Sequence, residues 1–123
     1  MTKFTFPSLI IETESIHIKG EVVQVVSFVG QITNTNAYEI NRSISSVFED
    51  GIYQIILDLS KLEYINSIGV ATLISIIKTV ETQNGKIRIG GLNHFLENVI
   101  QLMDLPKKVQ IYNTKKDAML NWV

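Results

Sequence analysis

Leu57-Asp58-Leu59-Ser60-Lys61-Leu62-Glu63-Tyr64-Ile65-Asn66-Ser67-Ile68-Gly69-Val70 leads from an apolar strand into a helix. Upstream, Ile52 to Leu59 is an apolar run bounded by Gly51 and Ser60, and its Ile-Ile-Leu centre suits an interior strand. Lys61 to Asn66 reads as the connection. Downstream, Val70, Leu73, Ile74, Ile77 and Val80 recur at helical spacing and close at Asn84-Gly85, which makes this the most apolar helix of the chain.

Working outward toward the N-terminus, Ile16 to Ile18 and Val22 to Val29 flank Lys19-Gly20-Glu21, the pattern of a β-hairpin. The second arm is apolar without alternation, so it is expected inside a sheet covered on both faces, and Gly30 is expected to end it. Ala37, Ile40, Ile44, Val47 and Phe48 form one helix face, with Asn34 or Thr35 as N-cap and a stop at Asp50-Gly51. Toward the C-terminus, Lys86 to Gly90 alternates as a strand, and Asn93 to Met103 is helical up to Pro106. Val109 to Tyr112 is a short strand. A last helix runs from an N-cap at Thr114 through Ala118, Met119 and Trp122, with Asp117 in the place of a capping-box acid. Two strands followed by alternating helix and strand give an α/β unit with a largely parallel sheet.

The bulk numbers agree with one domain. The chain has 123 residues, 46% hydrophobic and 19% charged, enough apolar matter for a core and too little charge for disorder. Eleven Lys and Arg against twelve Asp and Glu leave a net charge of −1, without the cationic surplus that phosphate-backbone binding demands, so nucleic acid is not expected as a partner. There is no cysteine, which removes disulfides, thiolate metal sites and cysteine nucleophiles and is compatible with the cytoplasm. No signal-peptide core can be drawn in Met1 to Ile11, and no apolar run reaches the roughly 18 residues of a membrane span. Residues 1–15 read as an N-terminal extension or edge strand, and 16–123 as the domain proper.

Catalytic and metal chemistry find little to stand on. His17 and His94 have no partner at metal-ligand spacing, and no metal or cofactor is expected. Asp58, at the end of an apolar strand, reads as a carboxylate bonding the turn after it. Gly85, Gly90 and Gly91 flank a strand and form neither a dinucleotide fingerprint nor a phosphate loop. Lys107-Lys108 and Lys115-Lys116 read as solvated ends. Ser67 stands apart, because it opens the most apolar helix, with Gly69 two residues on allowing another surface to approach the backbone. Its hydroxyl or the Asn66 side chain could cap the first turn, a contribution of about 1 kcal/mol. Alternatively Ser67 could accept a phosphate, which the positive end of a helix favours.

The sequence from Leu57 to Val70 resembles the central motif of the STAS domain, the module of bacterial anti-sigma factor antagonists and of sulfate-transporter tails. Gly30-Gln31-Ile32-Thr33 stands where the antagonists carry a Gly-Glu-Leu-Asp-like turn. Gly85-Lys86-Ile87-Arg88-Ile89 resembles their Gly-Gly-x-Leu-x-Leu strand, and Leu102-Met103-Asp104-Leu105 their Leu-x-x-x-Gly-Leu stretch. The resemblance implies a four- or five-stranded mixed sheet with about four helices packed mainly on one side, and no enzymatic activity. It also implies a cytoplasmic switch that binds an anti-sigma factor acting also as a serine kinase; an uncovered edge of a small sheet would be a dimer contact, so a monomer or weak dimer is expected. Phosphorylation at the position of Ser67 abolishes that binding and a phosphatase restores it. Gln31, Thr33, Asn66, Ser67, Ile68 and Gly69 would form the partner-binding surface.

The chain departs from the family pattern at several of these positions. Asn66 replaces the motif's Asp, Ile68 its second hydroxyl residue, and Gln31 and Thr33 the two acids of the Gly30 turn. A less acidic patch also suits a STAS interaction module of a signalling or transport assembly that is never phosphorylated. An enzyme using Asp58 and Ser67 would lack a base, since no His is placed by any local pattern to activate the hydroxyl.

Overall fold

The computed structural model describes residues 2–48, 51–102 and 109–122. Six strands and four α-helices are found among them: β1 (Thr2–Phe6), β2 (Leu9–Ile18), β3 (Glu21–Ile32), α1 (Ala37–Ser43), β4 (Gln54–Ile65), α2 (Ser67–Thr82), β5 (Lys86–Gly90), α3 (His94–Leu102), β6 (Gln110–Tyr112) and α4 (Lys115–Leu120). A 3₁₀ turn, Ile44–Val47, follows α1. All six strands lie in one mixed sheet in the order β1-β2-β3-β4-β5-β6, so spatial order follows chain order. The pairs β1–β2 and β2–β3 are antiparallel, and β3–β4, β4–β5 and β5–β6 are parallel.

The expected four or five strands thus become six, and the extra strand lies at the N-terminus. Pro7 and Ser8 are the turn of a hairpin, with Phe6 opposite Leu9 and Ser8 at φ 63°. The anticipated hairpin at Lys19-Gly20 is present, with Ile18 opposite Glu21. Gly30 does not end β3. The strand runs on to Ile32 through a glycine at φ 121°, because a side chain there would collide with the Ser8 carbonyl. Lys61 to Ile65 likewise belongs to β4, pairing with Val29–Ile32 beyond register shifts near Ser27 and Gly30.

The sheet has a core on each face because its interior strands alternate. Val26 and Phe28 of β3 with Ile55, Leu57 and Leu59 of β4 point to the face covered by α1, α2 and α3, where Leu73, Ile76, Ile77, Val80, Leu96 and Ile100 complete the main cluster. Val23, Val25 and Ile56 point to the other face, where Ala118 of α4 and Trp122 cover them. Trp122 is fully buried, and its Nε1 donates to Glu21 Oε2 at 2.6 Å, with Lys86 Nζ 4.8 Å from the ring centroid. Three helices on one face and one on the other refine the expectation of helices mainly on one side.

Helix ends follow local chemistry with two corrections. Thr114 caps α4, its Oγ1 accepting from Asp117 N at 3.0 Å, but the helix ends at Leu120 and Trp122 lies beyond it. The residue before α1 is Asn36, in place of Asn34 or Thr35, and its side chain makes no cap bond. Asp50, Met103 to Pro106 and Lys107-Lys108 lie outside the described residues. Among the described residues no helix is long and apolar enough to cross a membrane.

Candidate functional site

The parallel pairing of β3 with β4 ends at Ile32 and Ile65, so both chains leave the sheet at the same edge. Asn66 N donates to Ile32 O at 3.0 Å, holding the two exits together. Asn66 then turns extended (φ −95°, ψ −178°) and caps α2, its Oδ1 accepting from Gly69 N at 2.9 Å. Its Nδ2 donates to Asn34 Oδ1 at 3.1 Å, a cross-link to the loop after β3. Of the two side chains that could cap this helix, Asn66 does so. Ser67, the first helical residue, is exposed, and among the described residues its hydroxyl has no hydrogen-bond partner.

Gly69 is buried, and what approaches it is the chain's own core: a Cβ there would lie 2.5 Å from Ile65 Cγ1 and 2.8 Å from Ile32 Cγ2. The small residue that seemed to invite a visitor instead lets α2 settle onto the ends of β3 and β4. Ile68 projects outward and stays 42% exposed. Thr72, one turn further, donates from Oγ1 to Ile68 O at 3.0 Å and approaches Asn41 Oδ1 at 3.2 Å, which ties α2 to α1.

The loop carrying Gln31 and Thr33 is fixed by Asn36, a fully buried amide. Its Oδ1 accepts from Thr33 N at 3.0 Å, and its Nδ2 donates to Gln31 O at 2.8 Å and to Pro7 O. Gln31 N donates to Ser8 O at 2.8 Å, so the β1–β2 turn braces the same loop. Gln31 is exposed and Thr33 half-buried. The topology therefore brings Gln31, Thr33, Asn66, Ser67 and Ile68 to one edge, at the C-terminal ends of parallel strands, with Gly69 beneath them.

Sequence reasoning missed two neighbours on this edge. Tyr64, near the end of β4, stacks on Phe95 of α3 with ring centroids 5.4 Å apart and planes at 21°. Asn93 holds α3 against β4, donating from Nδ2 to Leu62 O at 3.0 Å and accepting from Leu96 N at 2.7 Å. Phe95 has the helical spacing of a core residue, and nothing local marks it as the exposed partner of a ring 31 positions earlier. Asp58 is not at the end of its strand but within β4, where its Oδ1 accepts from Ser60 N (3.1 Å) and Ser60 Oγ (2.7 Å). It lines a cavity of about 210 Å³ with Glu12, Glu14, Lys61 and Lys115, beside α4. His94 is fully exposed beside Glu97, 3.4 Å away, and His17 is exposed on β2.

Comparison with known proteins places this arrangement. The STAS domain model matches residues 15–118. The anti-sigma-F factor antagonist RsfB of Mycobacterium tuberculosis is 27% identical over 97 residues, 79% of each chain. The crystal structure of an anti-sigma factor antagonist from Mycobacterium paratuberculosis has a TM-score of 0.69 at 26% identity, covering 89% of this chain and 92% of that one. The Bacillus anti-sigma factor antagonist SpoIIAA, solved unphosphorylated and phosphorylated, scores 0.65 in both forms. Those two alignments cover 92% and 88% of this chain and 99% and 95% of SpoIIAA; at 16% and 18% identity the likeness is one of fold. With the family match running from β2 into α4 and the solved relatives sharing the fold, the chain belongs to the STAS domain family.

Proposed function

We propose that the chain is an anti-sigma factor antagonist, a binding protein that captures an anti-sigma factor acting also as a serine kinase and is switched off by phosphate on Ser67. The observation that carries the reading is the division of labour at the start of α2. Asn66 supplies the cap, so the Ser67 hydroxyl is exposed and uncommitted on the first turn of a 16-residue helix. The relatives named as antagonists support the partner class, and a relative of the same fold has been solved with and without phosphate.

The chemistry of the switch follows from the surroundings. Residues 31–36 are uncharged, and neither 62–77 nor 89–102 contains a Lys or Arg. A phosphate on Ser67 would bring a charge of about −1.5 to −2 with no cation from these segments to neutralise it. Under a docked partner it would have to be desolvated, at several kcal/mol per ion, whereas an exposed ion pair at the rim returns about 0–1 kcal/mol. Release of the partner wins, with no refolding of the chain. The contact surface is Gln31, Thr33, Asn66, Ser67 and Ile68, over Gly69. A phosphatase would complete the cycle in the cytoplasm.

A second reading, a STAS module that docks constitutively, draws on Asn66 and Ile68, where the family motif has an acid and a hydroxyl residue. Incubation with ATP and the cognate kinase separates the two by intact mass. A gain of one phosphate in the wild type and none in Ser67→Ala supports the switch. An unchanged mass together with loss of partner capture by Ser67→Asp supports the module.

A further inference from the structure

We infer that the Tyr64–Phe95 ring pair is the anchor of the partner contact, and that its occupant is the anti-sigma factor, meeting it with a face apolar at the centre and basic at the edge. The inference rests on the proposed function and adds the chemistry by which the partner is held.

Both rings are large, and both are left in water. Tyr64 is 44% and Phe95 43% exposed. Their stacking, and the two hydrogen bonds by which Asn93 fixes α3 to β4, hold the pair in place before any partner arrives. A rigid aromatic surface loses little conformational freedom on binding, which is the character of an interface hot spot. Ile68, 42% exposed at the second position of α2, follows Tyr64 by four residues across the Asn66 cap. Of the other exposed large hydrophobic side chains, Tyr38 opens α1 just after the loop that carries Thr33, Leu102 ends α3, and Val22, Ile111 and Leu120 stand on β3, β6 and α4.

Charge selects among occupants. The segments that carry the rings, 62–77 and 89–102, contain Glu63 and Glu97, both exposed, no Lys or Arg, and one histidine, His94, whose Nδ1 lies 3.4 Å from Glu97 Oε2. An anionic lipid surface or a nucleic acid would be repelled, and a second copy would set the same acids against each other. A protein face with an apolar centre and cations at its edge meets both requirements.

The test is the affinity of the unphosphorylated full chain for its purified cognate anti-sigma factor, by calorimetry at 50 and 300 mM salt. Phe95→Ala and Tyr64→Ala are each expected to weaken binding at least tenfold at both salt concentrations, and Leu120→Ala to leave it within twofold. Glu63→Gln is expected to weaken binding at low salt and much less at high salt. Circular dichroism confirms folding, and Phe95→Lys serves as a second variant for the exposed ring. Binding by the wild type that survives both ring substitutions overturns this inference alone. A wild type that does not bind the anti-sigma factor overturns the functional reading and the inference with it.

Discussion

Replacing Gly69 by alanine sets two effects of similar size against each other, and the surroundings of the residue decide the sign. In an open helix the change would stabilise, since alanine is favoured over glycine by about 1 kcal/mol. Here the new methyl would sit 2.5 Å from Ile65 Cγ1, 2.8 Å from Ile32 Cγ2 and 3.1 Å from Ile65 Cδ1. These are branch atoms of side chains that are 3% and 0% exposed, held in the main core. Relief requires α2 to lift from the sheet, which stretches the cap bond from Gly69 N to Asn66 Oδ1 and the Asn66 N to Ile32 O bond. Overpacking of this kind costs about 1–3 kcal/mol, and a lost cap about 1 kcal/mol more. The expected net effect is a loss of about 1–3 kcal/mol, with a fall in melting temperature of about 4 °C per kcal/mol for a chain of this size. Urea titration followed by fluorescence of Trp122, the one tryptophan, measures it. Ser67→Ala, two positions earlier and exposed, is the control and should shift stability by less than about 0.5 kcal/mol. A midpoint for Gly69→Ala equal to or above the wild type would refute the claim that Ile32 and Ile65 require a glycine there.

Substitutions at three further positions probe the same edge and the opposite face. Asn66→Ala removes both the cap on Gly69 N and the bond to Asn34 Oδ1, and should cost about 1–2 kcal/mol, whereas Asn66→Asp keeps the acceptor at the positive helix end and should cost less than half as much in the same titration. Asn36→Ala leaves Thr33 N without its acceptor and Gln31 O and Pro7 O without their donor, so a loss of about 3 kcal/mol is expected, read by thermal melting and by faster amide exchange at Gln31 and Thr33. Trp122→Phe retains most of the buried ring but forfeits the bond to the Glu21 carboxylate, a loss of about 1.5–3 kcal/mol by urea unfolding followed by circular dichroism.

The parts of the fold that were legible in the sequence are those whose signal is local. The hairpin at Lys19-Gly20, the interior character of β3, the Thr114 cap and the helix from Ser67 all depend on residues a few positions apart. What escaped depends on pairing at a distance. Lys61, Glu63 and Tyr64 are exposed and look like a loop, yet the backbone continues as strand because Val29 to Ile32 offers it hydrogen-bond partners. The role of Pro7-Ser8 as a turn appears only when Phe4 is set against Ile11. At the candidate site, the hydroxyl and its neighbours could be named from the motif. The sequence could not say which of Asn66 and Ser67 caps the helix, nor that Gly69 faces inward. Asn36 carried no motif at all, since a buried amide is recognised by the carbonyls it meets.

Because the strand order repeats the order of synthesis, each strand leaving the ribosome finds its neighbour already made. The α1–α3 side can therefore consolidate progressively during translation. The opposite side cannot, for its lid arrives last: the bond between Trp122 and Glu21 spans 101 positions. Until α4 emerges, Val23, Val25 and Ile56 stand uncovered, so a nascent or prematurely terminated product shows chaperones and proteases a greasy flank that the finished molecule hides.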